Sequence, residues 1–185
     1  MRKSIPSAEL LEDHLVVWDI QEARGLYAQG YYGKPVGVSK PKQEGFDSPL
    51  VLDLVEGLFL LENGLIAVRN ARGRAVREMA LRRRAEKVYD GFGRDYIVYK
   101  DLRLHGKIVL SGIKFGCEFA VYEHGPGIDH APYLVSVKEP DDDMSSTEVV
   151  RAGRLATTVR KRFIVAVPNM RLNQVQYLMF DWFRA

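Results

Sequence analysis

The chain has 185 residues, 46% of them hydrophobic, which is enough to bury one ordinary core or two small ones sharing an interface. Its single cysteine, Cys117, excludes an internal disulfide framework and any zinc site built on paired cysteines, and it points to a reducing, intracellular compartment. The formal net charge of +3 says little about partners by itself, but the charge is gathered in blocks, and separated blocks of opposite sign suggest surfaces with different partners.

The N-terminus, Met-Arg-Lys-Ser-Ile-Pro, is charged but has no apolar core behind it. No later apolar run approaches the roughly 20 residues of a membrane-spanning helix, so a soluble, cytoplasmic protein is expected. Residues 15–20 and 25–32 read as short β-like runs. The segment 33–45, rich in Gly, Pro and Lys, reads as a basic loop. A helix is expected from about Ser48, with Asp47 or Ser48 as cap, Pro49 in the first turn, Leu50, Leu54, Leu58 and Leu61 at helical spacing, and Asn63-Gly64 as its end.

Residues 74–90 read as a second helix, highly charged, with Val76, Met79, Ala80 and Val88 as its apolar stripe and Gly91-Phe92-Gly93 as its break. A third is expected from about Asp95 to Leu104, stopped by Gly106. Then come strands near 108–110, 118–122 and 133–137. A helix capped by Ser145 or Ser146, with Glu148 in its first turn, runs to about Lys161. A buried strand follows at 163–167, and a last strand at 175–183. The fold class expected is α/β (α+β): two small mixed modules, 1–73 and 74–185, with a junction as late as Gly93 also compatible.

Two blocks are basic. Eight cations lie between Arg69 and Lys87, and Arg151, Arg154, Arg160, Lys161 and Arg162 form the second; Asp141, Asp142 and Asp143 form an acidic knot. For any one such block taken alone, a solvated helix face is a better account than a binding surface.

Several ordered words in the second half are distinctive. They are Tyr99-Lys100-Asp101-Leu102-Arg103, Gly112-Ile113-Lys114-Phe115-Gly116, Val121-Tyr122, the run from His130 to Val135, and the run from Arg154 to Lys161. Together they resemble the catalytic subunit of the archaeal tRNA-splicing endonuclease, crenarchaeal in type. Tyr32-Gly33-Lys34-Pro35 extends the resemblance into the first half. What the resemblance implies is cleavage of precursor tRNA at bulge-helix-bulge splice sites, with no cofactor or metal, leaving 2′,3′-cyclic phosphate and 5′-hydroxyl ends. Carried over by position, Tyr122 looks like the general base, His130 like the general acid and Lys161 like the cation that stabilises the phosphorane.

The side chains suit those roles. A tyrosine, with an ordinary pKa of about 10, needs a neighbouring cation to act as a base at neutral pH. A histidine near about 6.5 is well matched to protonating an alkoxide. Each has an ordinary alternative: a strand tyrosine with a surface hydroxyl, a solvated loop histidine, and a lysine complementing a helix dipole.

The resemblance further implies that Arg154 and Trp182 pinch a bulge base, and that Lys40 and Lys42 reach phosphate near the cut, in a loop like that of crenarchaeal members. It also implies that Asp141, Asp142 and Asp143 dock on an opposing subunit. The assembly implied is a tetramer, either of four copies or of this chain with a smaller structural subunit. A non-catalytic structural paralogue or a plain RNA-binding module are the alternatives. The turn Pro168-Asn169-Met170-Arg171 departs from relatives, which often carry acidic residues there.

Overall fold

The structure is a computed structural model that describes residues 5–38, 45–128, 131–158 and 161–180. The chain divides into two compact units, Met1–Phe92 and Gly93–Ala185, each built on a five-stranded sheet. The division follows Phe92, so the helix that the sequence reading assigns to the second module, after residue 73, stands with the first unit.

In the first unit the elements run β1 (Ser7–Leu10), β2 (His14–Val17), α1 (Ile20–Gly30), β3 (Lys34–Pro35), β4 (Leu50–Asp53), α2 (Leu54–Glu62), β5 (Ala67–Asn70) and α3 (Glu78–Val88). The sheet order is β3-β4-β2-β1-β5, with β1 and β5 parallel and the other pairs antiparallel.

Three local expectations give way here. Residues 25–30 are helical: Ala23, Leu26 and Tyr27, at i, i+3 and i+4, bury one face of α1, and Gly25 meets only open space. The Asp19 side chain starts this helix by accepting from the Gln21 and Glu22 N–H groups, each at 2.9 Å. The helix expected from Ser48 begins at Leu54, because Leu50–Asp53 is a strand. Asp53 is the cap: its carboxylate accepts from the Glu56 N–H at 2.7 Å, and the Glu56 carboxylate accepts from the Asp53 N–H at 3.3 Å. In α3 the buried residues are Leu81 and Ala85, while Met79 is 62% exposed and Val88 44%, so the apolar stripe lies elsewhere than Val76, Met79, Ala80 and Val88 imply.

Glu56 also receives the Gly33 N–H at 3.0 Å. Gly33 has φ +73°, and a Cβ there would stand 2.7 Å from the Val51 carbonyl oxygen. The Gly in Tyr32-Gly33-Lys34-Pro35 is thus required both by its backbone conformation and by its close approach to β4.

The second unit carries α4 (Phe92–Leu104), β6 (Ile108–Ser111), a 3₁₀ turn (Ile113–Phe115), β7 (Phe119–Tyr122), β8 (Tyr133–Val137), α5 (Ser146–Thr158), β9 (Arg162–Asn169) and β10 (Gln174–Phe180). These lie close to the expected elements, although α4 starts at Phe92 and α5 stops at Thr158. Of the two expected caps Ser145 is the one used, and it pairs reciprocally with Glu148: the Glu148 N–H donates to Ser145 Oγ at 3.2 Å, and the Ser145 N–H to Glu148 Oε2 at 2.8 Å. The sheet order is β10-β9-β8-β7-β6, and only β8 and β9 are parallel.

Two contacts fix α4 within this unit. The buried guanidinium of Arg103 donates to Tyr99 Oη at 2.9 Å and to the Val109 carbonyl at 3.0 Å, joining the helix to β6. The Tyr177 hydroxyl donates to Asp101 Oδ2 at 2.6 Å, joining it to β10. Burial and this neighbouring carboxylate push the Tyr177 pKa well above the ordinary tyrosine value.

Removal of the cap in Asp53→Ala is expected to cost about 1 kcal/mol of stability, seen as a lowered Tm in calorimetry. An unchanged Tm would show that the capping box is not what starts α2.

Candidate active site

One row of paired residues crosses the second sheet near its end: Val121 on β7 faces Tyr133 on β8, which faces Arg162 on β9. β7 ends one residue past this row, at Tyr122, whereas β8 and β9 begin at it. Tyr122 follows Val121 and Lys161 precedes Arg162, so both emerge at the same end of the sheet.

Alternation along a strand puts Tyr122 on the same face as Ala120. That face carries a buried cluster of Cys117, Ala120, Ala131, Leu134, Phe163 and Val165, and Phe115, Tyr122, Met144 and Val167 pack against it half-buried. Lys161 is half-buried as well, and its ammonium donates to the Ala131 carbonyl. The Arg162 N–H donates to the next carbonyl, that of Pro132, at 2.8 Å. The start of β9 therefore holds Ala131 and Pro132, the two residues that follow His130 in sequence.

Further charges frame this end of the sheet. Lys107 Nζ lies 3.7 Å from Glu123 Oε1, and the Tyr133 hydroxyl donates to the same oxygen at 3.4 Å. Lys114 Nζ and Lys161 Nζ stand 4.9 Å and 5.4 Å from the centroid of the Phe115 ring. A buried thiol lies nearby, but burial, with the charge of Glu118 adding to it, pushes Cys117 up to about 11. A thiol so placed stays protonated and is no nucleophile at neutral pH. Among the described residues, no three His, Cys, Asp or Glu side chains cluster as a metal site requires.

The other expected site residues lie apart from this end or outside the described residues. Asp141, Asp142 and Asp143 are exposed beyond the far end of β8. Their turn is closed by the Glu139 N–H donating to Asp142 Oδ2 at 2.8 Å and the Asp142 N–H donating to the Glu139 carbonyl at 3.1 Å. From there α5 returns toward the start of β9, with Arg154 exposed one turn before its end. His130, Trp182, Lys40 and Lys42 lie outside the described residues. Phe115, Lys107 and Glu123 are absent from the residues singled out by sequence. Phe115 belongs to one of the distinctive words, but nothing in its spacing announces that a lysine 46 positions later would share its ring.

Residues 92–177 match the family model of the tRNA intron endonuclease catalytic C-terminal domain, and residues 7–81 match that of the N-terminal domain of the same enzyme. The chain belongs to the tRNA intron endonuclease family. A protein named tRNA-splicing endonuclease from Hyperthermus butylicus is 49% identical to it over 175 residues, covering 95% of this chain and 97% of the relative. Proteins of the same name from Sulfurisphaera tokodaii and Saccharolobus islandicus are 40% and 38% identical, each over 95% of this chain and at least 97% of the relative. The endonuclease is thus of the archaeal type, with both family domains present. Tyr122, His130 and Lys161 all fall in the segment matched by the catalytic domain, and Trp182 falls beyond it.

The native endonuclease is expected to leave Cys117 unmodified by a disulfide-exchange reagent at pH 8, with one thiol titrating after denaturation. Rapid reaction of the native protein would show that the thiol is accessible and ionised.

Proposed function

We propose that the endonuclease cuts precursor tRNA at the edges of a bulge-helix-bulge intron by attack of the 2′-hydroxyl on the adjacent phosphate, with no metal. The observation that carries this reading is the Val121–Tyr133–Arg162 row, which delivers Tyr122 and Lys161 to one end of one sheet. Tyr122 takes the proton of the 2′-hydroxyl, whose oxygen then bonds to phosphorus. Lys161 meets the negative charge that builds on the phosphorane oxygens. As the bond from phosphorus to the 5′-oxygen breaks, His130 protonates that oxygen. The products are a 2′,3′-cyclic phosphate and a 5′-hydroxyl, so a strand lacking the 2′-hydroxyl at the cut is inert.

Arg154 and Trp182 offer a guanidinium plane and an indole face for an unpaired bulge base. Lys40 and Lys42 add phosphate contacts near the cut, which makes affinity salt-dependent. The exposed Asp141 and Asp143, together with Asp142, face a basic pocket on an opposing subunit. Leu178, Met179 and Phe180, exposed on the edge strand β10, suit pairing with a second subunit. The working form is a tetramer, either of four copies or with a smaller structural subunit, and it acts in the cytoplasm. No helix among the described residues is long and apolar enough to cross a membrane.

The test is single-turnover cleavage of an intron-containing precursor tRNA in EDTA, with the chain alone and with a candidate partner subunit, followed by analysis of the ends. Cyclic phosphate ends are expected. Tyr122→Phe or His130→Ala should slow the cut by about 10²- to 10⁴-fold. Lys161→Ala should slow it by about 10²- to 10³-fold. RNA binding without cleavage under every condition, or full rates in these variants, would sink the assignment. Cleavage only with the partner present would establish the mixed tetramer.

A further inference from the structure

The word Gly112-Ile113-Lys114-Phe115-Gly116 has no part in the reaction as described above, yet the chain fixes it closely. The Phe115 N–H donates to the Gly112 carbonyl at 2.8 Å, and the Gly116 N–H to the Ile113 carbonyl at 3.0 Å. Gly116 closes the turn at φ 72°. A Cβ on Gly112 would stand 2.7 Å from Cys117 Sγ and 2.8 Å from the Cys117 carbonyl oxygen, so only glycine lets the turn sit this close to its own return. The result is one aromatic ring held half-buried against the cluster that also supports Tyr122, with the Lys161 ammonium 5.4 Å from its centroid.

We propose that Phe115 is a positioning residue for the cleavage reaction, its ring face seating the ammonium of Lys161 where the phosphorane forms. The proposal rests on the reading of Lys161 as the phosphate-stabilising cation. A lysine has a flexible four-carbon stem, and its head is placed only by what it touches. The contacts here include the Ala131 carbonyl and the Phe115 ring. The ring's negative quadrupole attracts the cation most where water is partly excluded, as it is around half-buried Lys161. The neighbouring Lys114 also brings its ammonium to the ring, at 4.9 Å, but its side chain is exposed and keeps its water, so the ring does less for it. An aliphatic side chain of similar size would fill the same space but offer the ammonium no negative ring face, so its placement would rest on its other contacts.

This separates a positioning role from simple packing. If the ring seats the cation, Phe115→Tyr keeps the cleavage rate, whereas Phe115→Leu lowers the single-turnover rate by about 5-fold or more, within the range of a partly buried cation–π contact, with KM little changed. If the ring only fills space, Phe115→Leu, the smaller change in polarity, keeps the rate. Lys161→Ala supplies the second axis: adding Phe115→Leu to it should cause no further loss, because the ring then has no Lys161 ammonium to seat.

Precursor tRNA cleavage would be measured in all four variants below their Tm, with RNA affinity in parallel. Full rate in Phe115→Leu, or equal losses in the Leu and Tyr variants, overturns the proposal, as does a loss from Phe115→Leu that persists in the Lys161→Ala background. Should Phe115→Leu fail to fold, Phe115→Met takes its place under the same criteria. Full activity in Lys161→Ala would instead overturn the reading of Lys161 itself, an outcome distinct from an inactive Lys161→Ala with an unaffected Phe115→Leu.

Discussion

The parallel pairing of β8 with β9 is the constraint on which the candidate site depends. Parallel neighbours cannot be joined by a tight turn, so the chain must travel the length of β8 and come back through α5 before β9 begins. That return brings Lys161 to the start of β8. Had β9 paired antiparallel, Lys161 would stand at the other end, about 17 Å away along a five-residue strand and out of reach of Tyr122. The antiparallel pairing of β7 with β8 supplies the other half, since it ends β7 where β8 begins.

The same topology separates two surfaces of opposite character. One end of β8 lies by the ammonium groups of Lys107, beside Glu123, and of Lys114 and Lys161, beside the Phe115 ring, while the other opens into the turn that carries Asp141, Asp142 and Asp143. Within one unit, the acidic residues are thereby kept a strand length from the end at which a polyanion would be handled, so their charge does not offset the lysines there. A short strand acts as an insulator between them, and screening by salt over about 8 Å completes the separation.

Much of the second unit was legible in the chain. Period-two runs, Gly106 and the Ser145–Glu148 box marked its strands and helix ends within a few residues. The first unit was harder because its signals overlap. In Leu50–Glu62 the leucines keep helical spacing across a strand and the helix that follows it, and only the Asp53–Glu56 pair marks the joint. In Ile20–Gly30 a glycine and a tyrosine favour an extended reading, which tertiary burial of Ala23, Leu26 and Tyr27 overrides. At the site, Tyr122 and Lys161 were found by resemblance; the residues alone gave no reason to prefer chemistry to packing. Their placement at one end of the sheet depends on pairing between strands far apart in sequence, and so does the approach of Lys161 to the Phe115 ring. No local pattern encodes either.

The bond between Tyr177 and Asp101 bears on how fast the enzyme could assemble. It ties the edge strand β10 to α4 of its own unit, and the raised pKa of the phenol keeps its proton in place throughout the neutral range. A strand anchored in this way is held within its own unit. Were a second chain to pair along it, as in the assembly proposed above, little cost of ordering a loose segment would be added, and the rate of association would be governed by diffusion and orientation, not by coupled folding.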